Sequence, residues 1–339
     1  MTTRIAINGL GRIGRSVLRA WFERADTAGL ELVALNELAD IQTLAHLTRY
    51  DSTHGKFAGN VAVEGSELII NATRLQVSHI PQLDALPWQQ HGIDLVLECT
   101  GAFSDRANAQ RHLQRGARRV LLSQPGATAS DVDATIVYGV NHASLRREHT
   151  IISAASCTTN CIVPVIDALQ REVGIEHGVI TTIHSAMNDQ PVLDAYHHTD
   201  LRKTRSAMQS IIPVDTGLAR GIDRLLPHLT GRFEAQAMRV PTMNVSAIDL
   251  SVVVTKPVDR AVINTLLQQA AARYPANVLG CTDEPLASCD FNHDARSGIV
   301  DLSQTRVSGS HLVKVLVWFD NEWAFANRML DLAQLLAQH

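Results

Sequence analysis

The chain has 339 residues, 45% of them hydrophobic and 19% charged, which excludes a disordered protein and leaves room for two domains of ordinary size. A net charge of −4 supplies no general basic field for nucleic acid or an anionic membrane, and no apolar run has the length of a bilayer span. Five cysteines, odd in number and without a CxxC pair, argue against a disulfide framework. With a strand that follows Met1 to Arg4 at once and leaves no room for a signal peptide, they point to a reducing cytoplasm.

Ile5-Ala6-Ile7 reads as a short strand, Asn8-Gly9-Leu10-Gly11-Arg12-Ile13-Gly14-Arg15 as a glycine turn, and Ser16 to Glu23 as a helix. A second strand, Leu32 to Leu35, ends at Asn36-Glu37. Strand, glycine turn, helix, second strand and an acidic residue roughly 20 residues on are the context a dinucleotide fingerprint needs. Gly9 allows the turn, Gly11 admits a pyrophosphate to the backbone, and Gly14 lets helix pack on strand. Glu37 is placed to accept ribose hydroxyls, and its charge would repel a 2′-phosphate, which favours NAD over NADP.

The alternation continues. Asp94 to Cys99 reads as a strand, Ala107 to Arg115 as a helix, and Arg119 to Ser123 and Ala134 to Tyr138 as further strands. Val61 to Val63 with Leu68 to Ile70 suggests a hairpin. Together these predict a doubly wound Rossmann domain. After Thr150-Ile151-Ile152, another strand, Ser153-Ala154-Ala155-Ser156-Cys157-Thr158-Thr159-Asn160-Cys161 leads into an apolar helix, Ile162 to Leu169. A thiol at a helix N-terminus lies near unpaired N–H groups and the positive end of the dipole, which favour thiolate. A limiting alkylating reagent is therefore expected at Cys157 before Cys99, Cys281 or Cys289. The alternative is that Cys157 is a small buried hydrophobe.

Downstream, Val179 to His184 reads as a strand ending in histidine, followed by a long polar segment, Ser185 to Ile212, that carries Arg202, Lys203 and Arg205. A loop of that length in a compact domain is usually functional. Phe233 to Val240, Ile248 to Thr255 and Val313 to Phe319 read as strands, and Pro257 to Arg273 and Glu322 to Ala337 as helices, with Pro257 in a first turn. Neighbouring long strands predict a mostly antiparallel sheet and hence an α+β second domain.

The glycine turn, Ser156-Cys157-Thr158-Thr159-Asn160-Cys161, Ile183-His184-Ser185, Arg239-Val240-Pro241-Thr242 and Trp318-Phe319-Asp320-Asn321-Glu322-Trp323 occur in one order that closely resembles the glyceraldehyde-3-phosphate dehydrogenase family, from Ile5 to Met329. The resemblance implies an NAD-binding domain over 1–156, a catalytic domain over 157–320, a last helix over 321–339 returning to the first domain, and a homotetramer. It implies Cys157 as nucleophile and His184 as base. It places substrate contacts at Ser156, Cys157, Thr158, Lys203, Thr216, Gly217 and Arg239, and cofactor contacts at Gly9, Gly11, Arg12, Ile13, Gly14, Glu37 and Asn321. Cys161 is taken as structural. Ligation of a metal by Cys157, Cys161 and His184 has no supporting pattern and is discounted.

Departures from the usual pattern bear on the substrate. Where glycolytic members usually read His-Ser-Tyr-Thr, this chain has His184-Ser185-Ala186-Met187, and a thioether cannot donate to a phosphate as threonine does. Asp215 stands before Thr216-Gly217, where a carboxylate opposes inorganic phosphate. These features, with Asn36 to Asp40, Val137 to Asn141 and Asp194 to His197, resemble the branch of the family that oxidises D-erythrose 4-phosphate with NAD and water for pyridoxal 5′-phosphate synthesis. Pro191, His198 and Thr199 depart even from that branch, and Ala154 replaces the asparagine common before Ala-Ser-Cys. The alternatives are a phosphorylating glyceraldehyde-3-phosphate dehydrogenase and, in another class, a partner-binding protein without chemistry. Cys157 together with His184, and no basic stripe, count against the last.

Overall fold

The computed structural model describes residues 2–197 and 199–338; His198, one of the departing positions, lies outside them. The chain divides into two compact units, Met1–Ser156 with Phe325–His339, and Cys157–Ala324. The second crossing thus falls after Ala324, within the last helix, rather than at 321.

In the first unit, strands β1 (Thr3–Asn8), β2 (Leu30–Asn36), β3 (Tyr50–Asp51), β4 (Gly55–Lys56), β5 (Val61–Glu64), β6 (Glu67–Ile70), β7 (Thr73–Ser78), β8 (Leu95–Glu98), β9 (Arg119–Leu122), β10 (Ala134–Thr135) and β11 (Ile151–Ser153) accompany helices α1 (Arg12–Glu23), α2 (Ile41–Arg49) and α3 (Arg106–Gln114). Nine of these strands form one sheet in the order β10-β11-β9-β8-β1-β2-β7-β6-β5; β3 and β4 pair separately. Its core is parallel, and Ile5, Ala6 and Ile7 are fully buried, as expected where both faces are covered. The expected hairpin is β5–β6, and β7 extends it antiparallel. Ala134 to Tyr138 yields only a two-residue strand. Asn141 takes the backbone groups that a longer ladder would need, its Oδ1 accepting Val137 N–H at 2.8 Å and its Nδ2 donating to Thr135 C=O at 2.8 Å.

The ends of the central strands are joined by buried polar groups. Trp88 Nε1–H donates to His112 Nδ1 at 2.9 Å, so the ring proton lies on Nε2, 3.1 Å from Glu98. Glu98 also accepts Asn8 Nδ2 at 2.6 Å and Thr100 N–H at 2.8 Å, and Asn36 Nδ2 donates to Asn8 Oδ1 at 2.8 Å. Each donor left unpaired here would cost about 1–3 kcal/mol. The chain thereby fixes the two strand ends from which the glycine turn and Glu37 project.

The second unit holds α4 (Cys157–Val173), β12 (Ile175–His184), β13 (Ile212–Val214), α5 (Leu218–Leu225), β14 (Phe233–Arg239), β15 (Ser246–Val254), α6 (Arg260–Arg273), β16 (Leu279–Thr282), β17 (Gly298–Ser308), β18 (Leu312–Phe319) and the start of α7 (Trp323–Gln338). Its seven-stranded sheet runs β13-β14-β12-β15-β18-β17-β16. The sheet is mixed: against the expectation of a mostly antiparallel sheet, two of its six neighbouring pairs are parallel. β14 runs parallel to β12 and β16 parallel to β17, while the other four neighbouring pairs are antiparallel. Two connections account for this: the 185–212 loop, β13 and α5 carry the chain back to begin β14 beside the start of β12, and the residues after β16 return it to the start of β17. Pro257 stands before the helix rather than in its first turn; Asp259 is the cap, accepting Val262 N–H at 2.8 Å. Residues between β12 and β13 contain one 3-10 turn, Leu201–Thr204, and otherwise fold back on themselves through Ala195 N–H to Thr204 C=O and Ala207 N–H to Pro191 C=O, both 2.9 Å.

Candidate active site

Cys157 is the first residue of α4 because the backbone reverses sharply before it. Ala155, buried, has φ of 61°, the left-handed region that costs a residue with a Cβ about 1–2 kcal/mol. Its N–H donates to Ser153 Oγ at 3.0 Å, and Ala154 N–H to Leu122 C=O at 3.0 Å. Ser156 and Thr158 flank the thiol, both partly exposed.

His184 ends β12 and is buried. Its Nδ1 faces the Ser185 carbonyl at 2.8 Å, which can only accept, so Nδ1 carries the proton. Nε2, with its lone pair, then faces Cys157 Sγ at 4.0 Å. Phe319 packs edge-on at 6.3 Å between centroids. Burial lowers the imidazole from its ordinary value, the Ser185 bond opposes this, and the charge of Arg239 lowers it further.

Burial also pushes the Cys157 thiol up to about 11; the N–H groups of Thr158 and Cys157 pull it down, and Glu322 and Asp320 add to the rise. The N–H groups at the helix start favour the thiolate, as the sequence suggests, and burial opposes them. Desolvation outweighs two backbone donors. Cys161 is buried one turn on.

Strand register brings together the residues expected to contact the substrate's anion. His184 and Arg239 are paired positions on β12 and β14, and Ile212 on β13 pairs with Arg239 on its other side. Thr216 and Gly217 follow β13, with Thr216 Oγ1 accepting Leu218 N–H at 3.2 Å as α5 begins. Asp215 is exposed beside them. Lys203 reaches this region from the loop: its Nζ lies 3.1 Å from Asp189 Oδ2, and Arg239 Nη1 donates to Asp189 Oδ1. Sequence reasoning missed Asp189, because nothing local marks a carboxylate whose partners lie 14 and 50 residues away.

Asn321 is buried, and its Oδ1 accepts both Ser185 Oγ and Ser246 Oγ at 3.0 Å. Asp320 supports it from below, accepting Trp323 N–H at 2.8 Å, Asn244 Nδ2 at 2.8 Å and His293 N–H at 2.7 Å. Ser246 and Asp320 were not singled out from the sequence either.

The nucleotide fingerprint lies in the first unit. Gly9 has φ of 86°, and a Cβ there would stand 2.7 Å from Thr100. A Cβ on Gly14 would stand 2.0 Å from Gly9 O, whereas one on Gly11 meets nothing within 4 Å. Gly11 is the N-cap of α1, where no side chain caps the helix and no acidic residue stands in the first turn; the exposed backbone there suits a pyrophosphate. Ile13 lies in that first turn, partly buried. The Arg12 guanidinium is held by Asp51 at 2.5 and 3.1 Å. Glu37 accepts Leu10 N–H at 2.6 Å, Leu38 N–H at 2.7 Å and Ala39 N–H at 3.2 Å. A carboxylate has about four acceptor sites, so a further donor such as a ribose hydroxyl still fits. Glu37, Leu10, Gly11 and Arg15 line an open cavity of about 160 Å³.

A dinucleotide fold with a glycine turn in one unit and a thiol facing an imidazole in the other defines a class of NAD-dependent oxidoreductase. Residues 3–106 match the NAD binding domain of glyceraldehyde 3-phosphate dehydrogenase, and residues 156–321 match its C-terminal domain. The chain belongs to the glyceraldehyde-3-phosphate dehydrogenase family, and its cofactor is NAD. Among the described residues, no helix is long and apolar enough to cross a membrane, and no group of three or more His, Cys, Asp or Glu could hold a metal ion.

Proposed function

We propose that the protein is a D-erythrose-4-phosphate dehydrogenase, oxidising D-erythrose 4-phosphate with NAD and water to 4-phosphoerythronate as a step in pyridoxal 5′-phosphate synthesis. The observation that carries the reading is the pair of substitutions around the anion-binding residues. Met187, partly exposed, stands where a hydroxyl would contact the phosphate of a three-carbon substrate, and the exposed carboxylate of Asp215 stands beside Thr216 and Gly217, where an acceptor phosphate would bind.

In this mechanism Cys157 Sγ gives its proton to His184 Nε2 and adds to the aldehyde carbon. The imidazolium returns that proton to the new oxyanion, leaving a hemithioacetal on Cys157. Bound NAD supplies the hydride acceptor. As hydride leaves the carbon, His184 Nε2 takes the hydroxyl proton and a thioester remains. His184 then releases that proton to solvent and deprotonates a water, which attacks the thioester and expels the Cys157 thiolate, and the thiolate recovers this second proton. Ser156 and Thr158 border the reacting carbon, Arg239 and Lys203 hold the phosphate, and Asn321 fixes the nicotinamide amide. Gly9, Gly11, Arg12, Ile13, Gly14 and Glu37 hold the rest of the cofactor.

We place the protein in the cytoplasm, a reducing compartment that suits five cysteines without a disulfide. We also infer self-association, as the homotetramer that the family resemblance implies; the 185–212 loop exposes Val192, Leu193, Tyr196, Leu201 and Ile211, an apolar surface suited to a second copy.

The test is NADH formation with erythrose 4-phosphate and with glyceraldehyde 3-phosphate, each with and without inorganic phosphate. Faster oxidation of the four-carbon aldehyde without phosphate is expected. Fast oxidation of the three-carbon aldehyde that depends on phosphate would instead make this a glycolytic enzyme.

A further inference from the structure

Asp189 is placed to compete with the substrate. It lies in the turn that follows β12, closed on both sides by Gln190 N–H to Met187 C=O at 3.0 Å and Met187 N–H to Gln190 Oε1 at 3.1 Å. From there each carboxylate oxygen takes one cation, Oδ1 the Arg239 guanidinium and Oδ2 the Lys203 ammonium. Arg239 has only 10% of its side chain exposed, and an unpaired guanidinium so buried is costly. Asp189, with 40% exposed, can withdraw to water at much lower cost. Burial would raise its carboxyl, but the bonds and charges of Arg239 and Lys203 outweigh this and hold it below the usual range.

We propose that Asp189 is a specificity-determining residue, a tethered carboxylate that occupies the two cations until a phosphate ester displaces it. This rests on the reading that Arg239 and Lys203 receive the substrate's phosphate. Two cations against one carboxylate leave a positive charge uncompensated. A dianionic ester completes the balance. A monoanion only repeats what Asp189 already provides, and it lacks the tether that gives Asp189 a high effective concentration. Asp189 thus weakens every anion by one threshold, and abundant monoanions such as chloride fall below it.

The experiment is calorimetric titration of the full chain with glycerol 3-phosphate, a phosphate ester with no aldehyde to react. Wild type, Asp189→Asn, Asp189→Ser and Arg239→Ala are compared at low and high chloride. Thermal melting is recorded to identify any variant that does not fold. Both Asp189 variants are expected to bind the ester about tenfold more tightly, a Coulombic gain reduced by exposure, and chloride should now compete with it. Arg239→Ala should abolish binding. Unchanged affinity in both Asp189 variants, with binding still lost in Arg239→Ala, overturns the role of Asp189 and leaves the anion site standing. Ester binding that survives Arg239→Ala overturns the anion-site reading itself.

Discussion

His184 and Arg239 occupy paired positions on adjacent parallel strands, so one register fixes both the imidazole and the guanidinium. The consequence is electrostatic as well as spatial, since the Arg239 charge disfavours a second positive charge on the ring. The imidazole is kept neutral, with its Nε2 lone pair facing the thiol, chiefly by burial and further by its neighbour in the ladder.

That arrangement predicts an acid limit for activity. Burial and then Arg239 lower His184 from 6.5, opposed by the Ser185 carbonyl, Asp189 and Glu322. His184 must be neutral to accept a proton, so the acid limb of kcat/KM should fall below pH 6.5. The same shift bears on stability. Between pH 6.5 and the lower folded value the unfolded chain binds a proton that the folded chain does not, so stability falls as pH drops through that window. A pH–rate profile with its acid midpoint above 6.5 would contradict this account.

The state of the thiol can be mapped directly. Cys289 is exposed, Cys99 and Cys161 are buried, and the partly exposed Cys157 and Cys281 are both pushed up to about 11 by burial. Limiting iodoacetamide at neutral pH should modify Cys289 first, and labelling of Cys157 should climb as pH rises. Peptide mass spectrometry reads the order. Modification of Cys157 first at pH 7 would mean that His184 takes its proton even in the resting protein.

Replacing the reacting groups should separate their roles. Cys157→Ser should lose NADH formation by at least about a thousandfold, because a serine hydroxyl is far harder to ionise than a thiol. His184→Asn should lose about a hundred- to ten-thousandfold, the usual worth of a positioned base. NAD affinity, measured by fluorescence titration, should change little in either. Retained oxidation in Cys157→Ser would point to a different nucleophile.

The elbow before Cys157 makes a separate prediction about stability. Ala155 has φ of 61°. Ala155→Gly relieves that strain but frees the unfolded chain, so stability should stay within about 1 kcal/mol. Ala155→Val, β-branched in the same region, should lose more than about 2 kcal/mol. Chemical denaturation of the two variants checks the contrast, and equal stabilities would refute it.

The glycine turn, the thiol at a helix start and the histidine at a strand end were legible in the sequence because each is a local pattern. Gly14 is required by a close approach to Gly9 within the same βαβ unit, and Gly9 by its positive φ. Strand direction was less legible: β14 runs beside β12 rather than against it because of a long intervening connection that carries no periodic signal. Ala134 to Tyr138 is apolar enough for a strand, yet one asparagine side chain caps it after two residues. Of the two opposing influences on the thiol, the helix terminus is visible in a sequence and the desolvation is not. Asp189 escaped notice because its role depends on which cations the fold brings to it.

Asn321 carries a last consequence. Oδ1 accepts two serine hydroxyls, and Ser246 Oγ already accepts Ser185 N–H at 3.1 Å, which holds the amide in this orientation. Its NH2 end must therefore be the one turned away from Ser185 and Ser246, and any group met there has to be an acceptor. Two buried hydroxyls thus set the polarity of whatever contact is made on the far side of the side chain.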